Sequence, residues 1–220
     1  MASHSTVAKQ VLRTARKTTR RQDYSSSTKR ALIESATELF TERGYAGTSL
    51  DEVVAAARVT KGALYHHFAS KLALFESVFL QIQKDSTDEI SQVLSKVKDP
   101  WERAEVGLST FLEVCRRPEF RRICMQEGPV ALGHERWQEA EREASFGIVR
   151  STVVSLLDAV SDDLKPLAEA FSVVFYGAMR SSAEYVADAE DPAEASDEVL
   201  ATIGAILLGM RSLRDTSSSS

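Results

Sequence analysis

The stretch TSLDEVVAAARVTKGALYHHFASK, residues 48–71, decides the fold of this chain. Its first helix begins with a capping box, because the Ser49 hydroxyl can accept a hydrogen bond from the N–H of Glu52 while the Glu52 carboxylate accepts one from the N–H of Ser49. Thr60 is a candidate N-cap for a second short helix. Apolar residues recur at helical spacing in both helices, at Leu50, Val53, Val54 and Ala57 and then at Leu64 and Phe68. Two such helices joined by a tight turn make a helix-turn-helix, whose second helix fits the major groove of DNA.

The same residues carry a family resemblance. The run G-Y-x-G-T-S-L-x-x-V at residues 44–53 and the run V-T-K-G-A-L-Y-H-H-F-x-S-K at residues 59–71 resemble the DNA-binding domain of the TetR family of bacterial transcriptional regulators. Two positions depart from the family pattern: Val54 stands where a small residue is usual, and Arg58 stands where the turn usually has Gly. A non-Gly residue at positive φ costs about 1 kcal/mol, so we expect a conformational cost at Arg58 if the turn keeps that shape.

The resemblance implies an all-α protein of about nine helices, in which a three-helix domain precedes a helical domain that binds a ligand and dimerises. The implied function is a sequence-specific DNA-binding transcriptional regulator, a repressor that a small molecule releases from a palindromic operator. An activator of the same fold and a helical ligand-binding protein that has lost DNA binding are the alternatives. We divide the chain into a basic flexible arm (1–27), a helix-turn-helix domain (28–75), an effector-binding and dimerisation domain (76–213) and a polar tail (214–220).

Composition agrees with an ordinary globular protein, since 43% of the residues are hydrophobic and 27% are charged. The scarcity of β-branched alternation favours an all-α chain. The longest apolar run, residues 201–210, is about half of a membrane span, and no apolar segment follows the basic N-terminus. We therefore expect a cytoplasmic protein with no membrane partner.

Charge is distributed unevenly along the chain. Residues 1–80 carry 12 Lys or Arg and 7 Asp or Glu, a net of +5, whereas residues 81–220 carry 15 and 25, a net of −10. Neutralising phosphates releases counterions, so a basic end on an acidic body is expected to bind a polyanion. The positive end is the one with the helix-turn-helix, which makes double-stranded DNA the expected partner.

Neither catalysis nor a cofactor is expected. His66 and His67 are adjacent, and neighbours in a helix point about 100° apart, so they do not share a metal site easily. The sequence has no Gly-rich phosphate loop, nucleophile elbow or H-E-x-x-H motif. Cys115 and Cys124 have no His at metal spacing nearby, so we expect core thiols, with a redox-sensing pair as the alternative.

The second helix of the motif is expected to read DNA. We assign Lys61 to guanine acceptors and Ala63 to a thymine methyl group, while Gly62 lets the backbone come close to the bases. Residues expected to contact phosphates and set the register are Thr48, Ser49, Thr60, Tyr65, His66 and Lys71. Basic residues of the arm, expected on phosphates or in the adjacent minor groove unless the arm is a disordered tail, are Arg13, Arg16, Lys17, Arg20 and Arg21.

Helical segments are expected throughout the rest of the chain. A first helix should begin at Ser26 or Ser27 and end before Gly44, and a fourth should run from about 70 to 96. Asp99-Pro100-Trp101-Glu102 marks another helix start, and later segments are expected at 100–117, 119–127, 134–160, 166–189 and 194–213. Residues 118–137 are similar to the effector domains of one subgroup of the same family.

The family implies a small-molecule pocket in the second domain, with an unidentified small apolar ligand. Candidate lining residues are Phe111, Cys115, Met125, Trp137, Phe146, Phe175, Tyr176 and Met179, each also a candidate core residue. Glu127, Arg150 and Arg180 are candidate polar anchors or surface ion pairs. The last two helices resemble a paired-helix homodimer interface, with candidate residues Phe171, Val174, Ala178, Val199, Ile203, Ile206, Leu207 and Met210.

Overall fold

The computed structural model describes the backbone of residues 3–217 and the side chains of residues 25–212. The described backbone is helical without a strand, as predicted. The chain forms two compact units, Met1–Val78 and Phe79–Ser220, which we call the head unit and the body unit. Within the described residues, no helix combines the length and the hydrophobicity needed to cross a membrane.

The head unit contains three helices and the start of a fourth. They are α1 (Ser3–Gly47), α2 (Leu50–Ala56), α3 (Lys61–His67) and α4 (Lys71–Leu94), and α4 continues into the body unit. Side chains of α1, α2 and α3 meet in a core that excludes water, formed by Leu32, Ala36, Phe40, Val53, Leu64 and Phe68. Burying each large side chain contributes about 1.5–3 kcal/mol, which is what stabilises helices as short as α2 and α3.

Both predicted caps of the motif are confirmed. The N–H of Glu52 lies 3.3 Å from the Ser49 hydroxyl, and the N–H of Ser49 donates to the Glu52 carboxylate at 2.8 Å. The Thr60 hydroxyl accepts from the N–H of Ala63 at 3.1 Å. These side chains satisfy N–H groups that the first turn of a helix leaves unpaired, so α2 and α3 begin where the sequence predicted.

Gly44 breaks α1, as predicted, because its φ of 72° and ψ of 174° lie outside the helical region. The break turns the chain so that Tyr45 packs back onto the head, with its ring centroid 6.0 Å from that of Phe40 and 5.1 Å from that of Phe75. The Tyr45 ring is therefore part of the packing within the head.

The start of α1 differs from the prediction, since the helix is assigned from Ser3 and not from Ser26 or Ser27. The predicted arm residues Arg13, Arg16, Lys17, Arg20 and Arg21 lie outside the residues whose side chains the structure describes.

The body unit consists of the rest of α4, five further α-helices and two short helical segments of other types. In chain order these are α5 (Pro100–Cys115), a π-helix (Phe120–Glu127), α6 (Gly128–Leu132), α7 (His134–Val160), a 3-10 helix (Asp162–Leu167), α8 (Ala168–Asp188) and α9 (Pro192–Ser217). Asp99 caps α5 as predicted, accepting from the N–H groups of Trp101 and Glu102.

Two connections expected between helices are partly helical themselves. The π-helix ends at Glu127, as predicted, but Gly128 and Pro129 begin the additional helix α6, where a proline without an N–H is tolerated. Gly128 is buried, and a Cβ there would lie 3.0 Å from the Trp137 ring and 3.1 Å from the Ile123 carbonyl oxygen. This glycine therefore serves close packing rather than chain reversal. Pro166 lies inside the 3-10 helix, so α8 begins at Ala168.

Arg58 occupies the turn between α2 and α3 with a φ of 54°, the one positive φ at a non-Gly residue in the described chain. Its Cβ is crowded by the backbone in this conformation, whereas glycine adopts it at little cost. The turn thus keeps the shape that the family resemblance implies, and Arg58 carries the conformational cost.

We predict that Arg58→Gly stabilises the protein by about 1 kcal/mol, because it removes the crowded Cβ while leaving the turn in place. Urea denaturation measures the change in the free energy of unfolding. Arg58→Ala is the matched control, since it removes the charge but keeps Cβ and should not reproduce the gain. Equal stability of the two variants would show that the φ of residue 58 carries no cost.

Candidate nucleic-acid interface and internal cavity

One face of α3 is available to an external partner. Leu64 is fully buried and Phe68 is 3% exposed, so these two residues hold the helix against the head. Tyr65 is 58% exposed, and Lys61 and His66 also face outwards. A Cβ at exposed Gly62 would meet only the Thr60 hydroxyl, at 3.9 Å, so packing within the head does not require a glycine there.

Lys61 is held by an ion pair across the motif. Its Nζ lies 2.7 Å from the Asp51 carboxylate, and about two thirds of each side chain is exposed. The hydrogen bond that Lys61 donates to Asp51, together with the negative charge of Asp51, raises the pKa of Lys61 above its ordinary value. Any partner that takes a hydrogen bond from Lys61 must therefore compete with Asp51.

Two residues predicted to contact phosphate are structural residues of the head. Thr48 is 2% exposed. Its Oγ1, which donates one proton, lies 2.9 Å from the Gly44 carbonyl oxygen and 3.1 Å from the Leu39 carbonyl oxygen. The Lys71 ammonium donates to the carbonyl oxygens of Tyr45 and Thr48 at 2.8 and 3.0 Å. The prediction for the Thr48 side chain is wrong, because it is buried and its hydroxyl is used within the head. Lys71 is half-buried and uses two of its three N–H donors within the head, so its phosphate contact stays a prediction.

The remaining predicted phosphate contacts stay at the surface. Ser49, Thr60, Tyr65 and His66 are exposed, although the hydroxyls of Ser49 and Thr60 also cap their helices. His67 is half-buried beside Phe68, and burial, His66 and Lys29 lower its pKa. No group of three potential metal ligands occurs among the described residues.

The body unit contains a mainly apolar, partly open cavity of about 140 Å³. Helices α4, α5, α7, α8 and α9 and the π-helix supply its wall. Of the predicted lining residues, the structure places these in the wall: Phe111, Phe175, Tyr176 and Met179. Further apolar wall residues, which the sequence analysis did not single out, are Ile90, Leu108, Phe120, Ile148, Val153 and Leu156.

The other four predicted lining residues lie away from the cavity. Cys115 and Cys124 are buried free thiols, and burial raises the pKa of each well above its ordinary value, so the core-thiol interpretation fits better than a reactive pair. Trp137 is buried and donates its Nε1–H to the Cys124 carbonyl oxygen at 2.8 Å. Met125 is core, and Phe146 packs edge-on against Tyr176 with 5.5 Å between ring centroids. Aromatic and sulfur-containing side chains are common both in a packed core and in a cavity wall, so residue type did not predict which of these residues line the cavity.

Polar side chains meet at one part of the cavity wall. Gln83, Glu141 and Arg180 all line it, and the first two are 5% and 7% exposed. Burial raises the pKa of Glu141 to about 7, against an opposing effect of the Arg180 charge. Of the three predicted anchors only Arg180 lines the cavity. All three are in ion pairs, Glu127 with Arg122, Arg150 with Glu169 and Arg180 with Glu184. Gln83 and Glu141 were missed, although their positions on the inward faces of helices were a usable signal.

Helices α8 and α9 leave apolar side chains in contact with solvent. Val174 is 68% exposed, Ile206 is 51% exposed and Leu208 is 65% exposed, and Ala178 also faces outwards. A group of exposed aliphatic residues on neighbouring helices is typical of a protein–protein contact.

Several predicted interface residues face the other way. Val199, Ile203 and Leu207 are buried, because their side of α9 packs on α5, α7 and α8, and the last two line the cavity. The interface prediction is wrong for these three. Phe171 and Met210 are half-buried, and Phe171 stacks on Phe175 with 6.5 Å between ring centroids.

Comparison with known proteins covers both units. Residues 32–78 match the family described as bacterial regulatory proteins, tetR family, and residues 101–210 match the tetracyclin repressor-like C-terminal domain. The Transposon Tn10 TetC protein of Escherichia coli is 30% identical over 136 residues, which are 62% of this chain and 68% of that protein. The HTH-type transcriptional repressor DhaR of Mycobacterium sp. (strain GP1) is 39% identical over 31% of this chain and 35% of its own length. The crystal structure of a TetR-family transcriptional regulator from Pectobacterium atrosepticum, 27% identical, has a TM-score of 0.69 over 86% of this chain and 96% of that one.

We predict that Glu141 makes stability depend on pH. Its carboxyl titrates near pH 7 in the folded protein and near 4.5 when unfolded, so the folded state binds more protons between these values. The free energy of unfolding should therefore fall as pH rises from about 4.5 to 7, by at most about 3 kcal/mol.

Glu141→Gln has no carboxyl at this position and does not lose this stability. Its free energy of unfolding, measured by urea denaturation, should therefore rise relative to that of the wild type between pH 5 and pH 8. Glu143→Gln is the control, because Glu143 is exposed on the same helix. If the stability difference between Glu141→Gln and the wild type stays constant with pH, the pKa of Glu141 is not raised.

Proposed function

Because the chain belongs to the TetR family of bacterial transcriptional regulators, we propose that it represses transcription from a near-palindromic operator and leaves the DNA when a small molecule occupies the body-unit cavity. The observation that carries the proposal is the outward face of α3. The residues exposed there are Lys61, Gly62, Tyr65 and His66, and Ala63 is half-buried. Leu64 and Phe68 keep the helix on the head.

The first residues of α3 are suited to the major groove. Lys61 supplies a donor for guanine O6 or N7, and Ala63 supplies a methyl group for contact with thymine. Gly62 lets the helix backbone approach the base edges, which explains a glycine that internal packing does not require. Phosphate contacts are proposed for Ser49, Thr60, Tyr65 and His66, which fix the position of the helix on the duplex.

A homodimer would supply two such heads for one operator. Two-fold symmetric proteins of this type engage half-sites about 34 Å apart, on one face of the duplex. The exposed residues Val174 and Ala178 on α8 and Ile206 on α9 form an apolar surface that a second copy can cover. Phe171 and Met210, each half-buried, remain candidates for the edge of this interface.

The cavity supplies a site for the releasing ligand. It is apolar with a small polar group of residues, as binding sites for small molecules usually are. Helix α4 contributes Phe75 to the head and Gln83 and Ile90 to the cavity wall, and it has neither Pro nor Gly to bend it. A ligand that favours one arrangement of α4 by about 1–3 kcal/mol changes operator affinity by about 5- to 150-fold.

We predict that Lys61→Ala weakens operator binding by about 10- to 100-fold, because a base contact is lost. Asp51→Asn should strengthen binding by up to about fivefold, since it frees Lys61 from its ion pair. Gel shifts with the DNA flanking the gene of this protein, in the presence of bulk competitor DNA, measure both effects.

Lys165→Ala is the matched control for Lys61. Lys165 is an exposed lysine of the body unit, and it pairs with Asp162 at 2.6 Å much as Lys61 pairs with Asp51. Operator binding should be unchanged in this variant. Equal loss in Lys165→Ala and Lys61→Ala would mean that general charge, and not α3, governs binding.

We predict that the wild type is a dimer and that Val174→Asp makes it a monomer, because a carboxylate would be buried in an apolar interface. Sedimentation velocity measures the change, and operator affinity should fall with it. Val130→Asp is the matched control, since Val130 is 82% exposed on α6, away from the proposed interface. A dimer that survives Val174→Asp would place the subunit contact elsewhere.

A further inference from the structure

Three polar atoms in the cavity wall lack hydrogen-bond partners. They are Nε2 of Gln83, Oε2 of Glu141 and Nε of Arg180, each buried and without a hydrogen bond of normal geometry among the described residues. Arg180 Nε lies 3.6 Å from the Glu184 carboxylate, and the Gln83 amide is close enough to the Glu141 carboxyl to lower its pKa, but neither contact is a full hydrogen bond. The Gln83 and Glu141 side chains are more than nine-tenths buried, and all three residues line the same cavity. Buried polar groups nearly always make hydrogen bonds, so three atoms around one cavity that make none indicate where the polar part of a ligand binds.

The missing partners define the chemistry of that polar part. Gln83 and Arg180 each present an N–H donor, and Glu141 presents an acceptor oxygen. A hydroxyl group satisfies all three, because its oxygen can accept two hydrogen bonds while its proton is donated to Glu141.

Charged head groups fit less well. A carboxylate would accept from Gln83 and Arg180, but it would also need a proton from Glu141, which that carboxyl carries only below its pKa of about 7. A hydroxyl pairs with either form of Glu141, because it donates to the ionised carboxylate and accepts from the protonated carboxyl. An ammonium group would pair with Glu141, but it would offer Gln83 no acceptor and would lie near the Arg180 charge. A neutral hydroxyl is therefore the group that the wall favours.

The rest of the cavity limits the size and type of the ligand. Its volume of about 140 Å³ is close to that of a protein cavity known to accept benzene, so one ring of that size fits without rearrangement. Aromatic rings in the wall, which favour an aromatic ligand, belong to Phe111, Phe120, Phe175 and Tyr176.

We propose that the cavity binds a neutral, single-ring phenol, whose hydroxyl accepts from Gln83 and Arg180 and donates to Glu141. This inference rests on the proposed function, because it names the class of molecule that would regulate the repressor. It goes further in assigning the polar recognition to three named side chains.

Isothermal titration calorimetry of the full chain with phenol and with toluene tests the inference. The two probes have nearly the same shape and differ in the hydroxyl, so phenol should bind at least about tenfold more tightly. Benzoate and benzylammonium test the two charged alternatives and should bind more weakly than phenol.

Two variants test whether Gln83 and Glu141 cause the preference for phenol over toluene. Gln83→Met and Glu141→Met each remove an unpaired polar atom while nearly keeping the volume, so they should fold and bring the phenol-to-toluene affinity ratio towards one. Ile148→Leu is the matched control, because it changes only the apolar wall and should shift both affinities together. Equal binding of phenol and toluene to the wild type, tighter binding of either charged probe, no phenol binding, or an unchanged ratio in both Met variants would overturn the inference.

Operator binding by the same preparation separates this inference from the proposed function. If the unliganded protein binds its operator and shows no preference for phenol, the ligand class is wrong and the DNA-binding role stands. If the operator is not bound at all, the proposed function fails whatever the cavity prefers. Release of the operator by phenol, weakened in Gln83→Met, would support both.

Discussion

The attachment of α3 to the head is the constraint on which the rest of the structure depends. A seven-residue helix is unstable in water, because its few hydrogen bonds do not compensate for the conformational entropy lost on forming it. Burial of Leu64 and Phe68 supplies the missing stability and also fixes which side of the helix faces outwards. The exposed position of Lys61, Gly62 and Tyr65 follows from that packing, with the Thr60 cap setting where the helix begins.

A second constraint governs the body unit, where helices pack around a space instead of filling it. Protein interiors are normally close-packed, so a cavity of about 140 Å³ loses dispersion contacts that a filled core would have. Unpaired polar atoms of Gln83 and Glu141 in its wall add a further cost. A bound ligand can supply both the missing dispersion contacts and the missing hydrogen bonds. For that reason a cavity in the core is useful in a regulator.

The head and the body use charge differently. In the head, Asp51 holds Lys61 in an exposed ion pair, so any partner of Lys61 must compete with Asp51. In the body, burial leaves Glu141 near the midpoint of its titration at neutral pH, with the Arg180 charge opposing the shift. Surface ion pairs such as Lys61–Asp51 contribute little to stability, whereas a buried carboxyl such as that of Glu141 affects both stability and binding.

Sequence alone determined the local features of this protein: the Ser49 and Thr60 caps, the break at Gly44 and the helix-turn-helix itself, because each depends on residues only a few positions apart. It left the conformation of Arg58 open, and the structure shows its positive φ. Tertiary structure alone decided what each apolar or polar face would touch. Helical spacing marks Val174 and Ile203 equally as apolar, yet one is exposed and the other lines the cavity. In the same way, Lys71 has the charge to bind phosphate but is used by carbonyl groups of the head. Periodicity shows that a side of a helix avoids water, but its partner is set by packing between residues far apart in the chain.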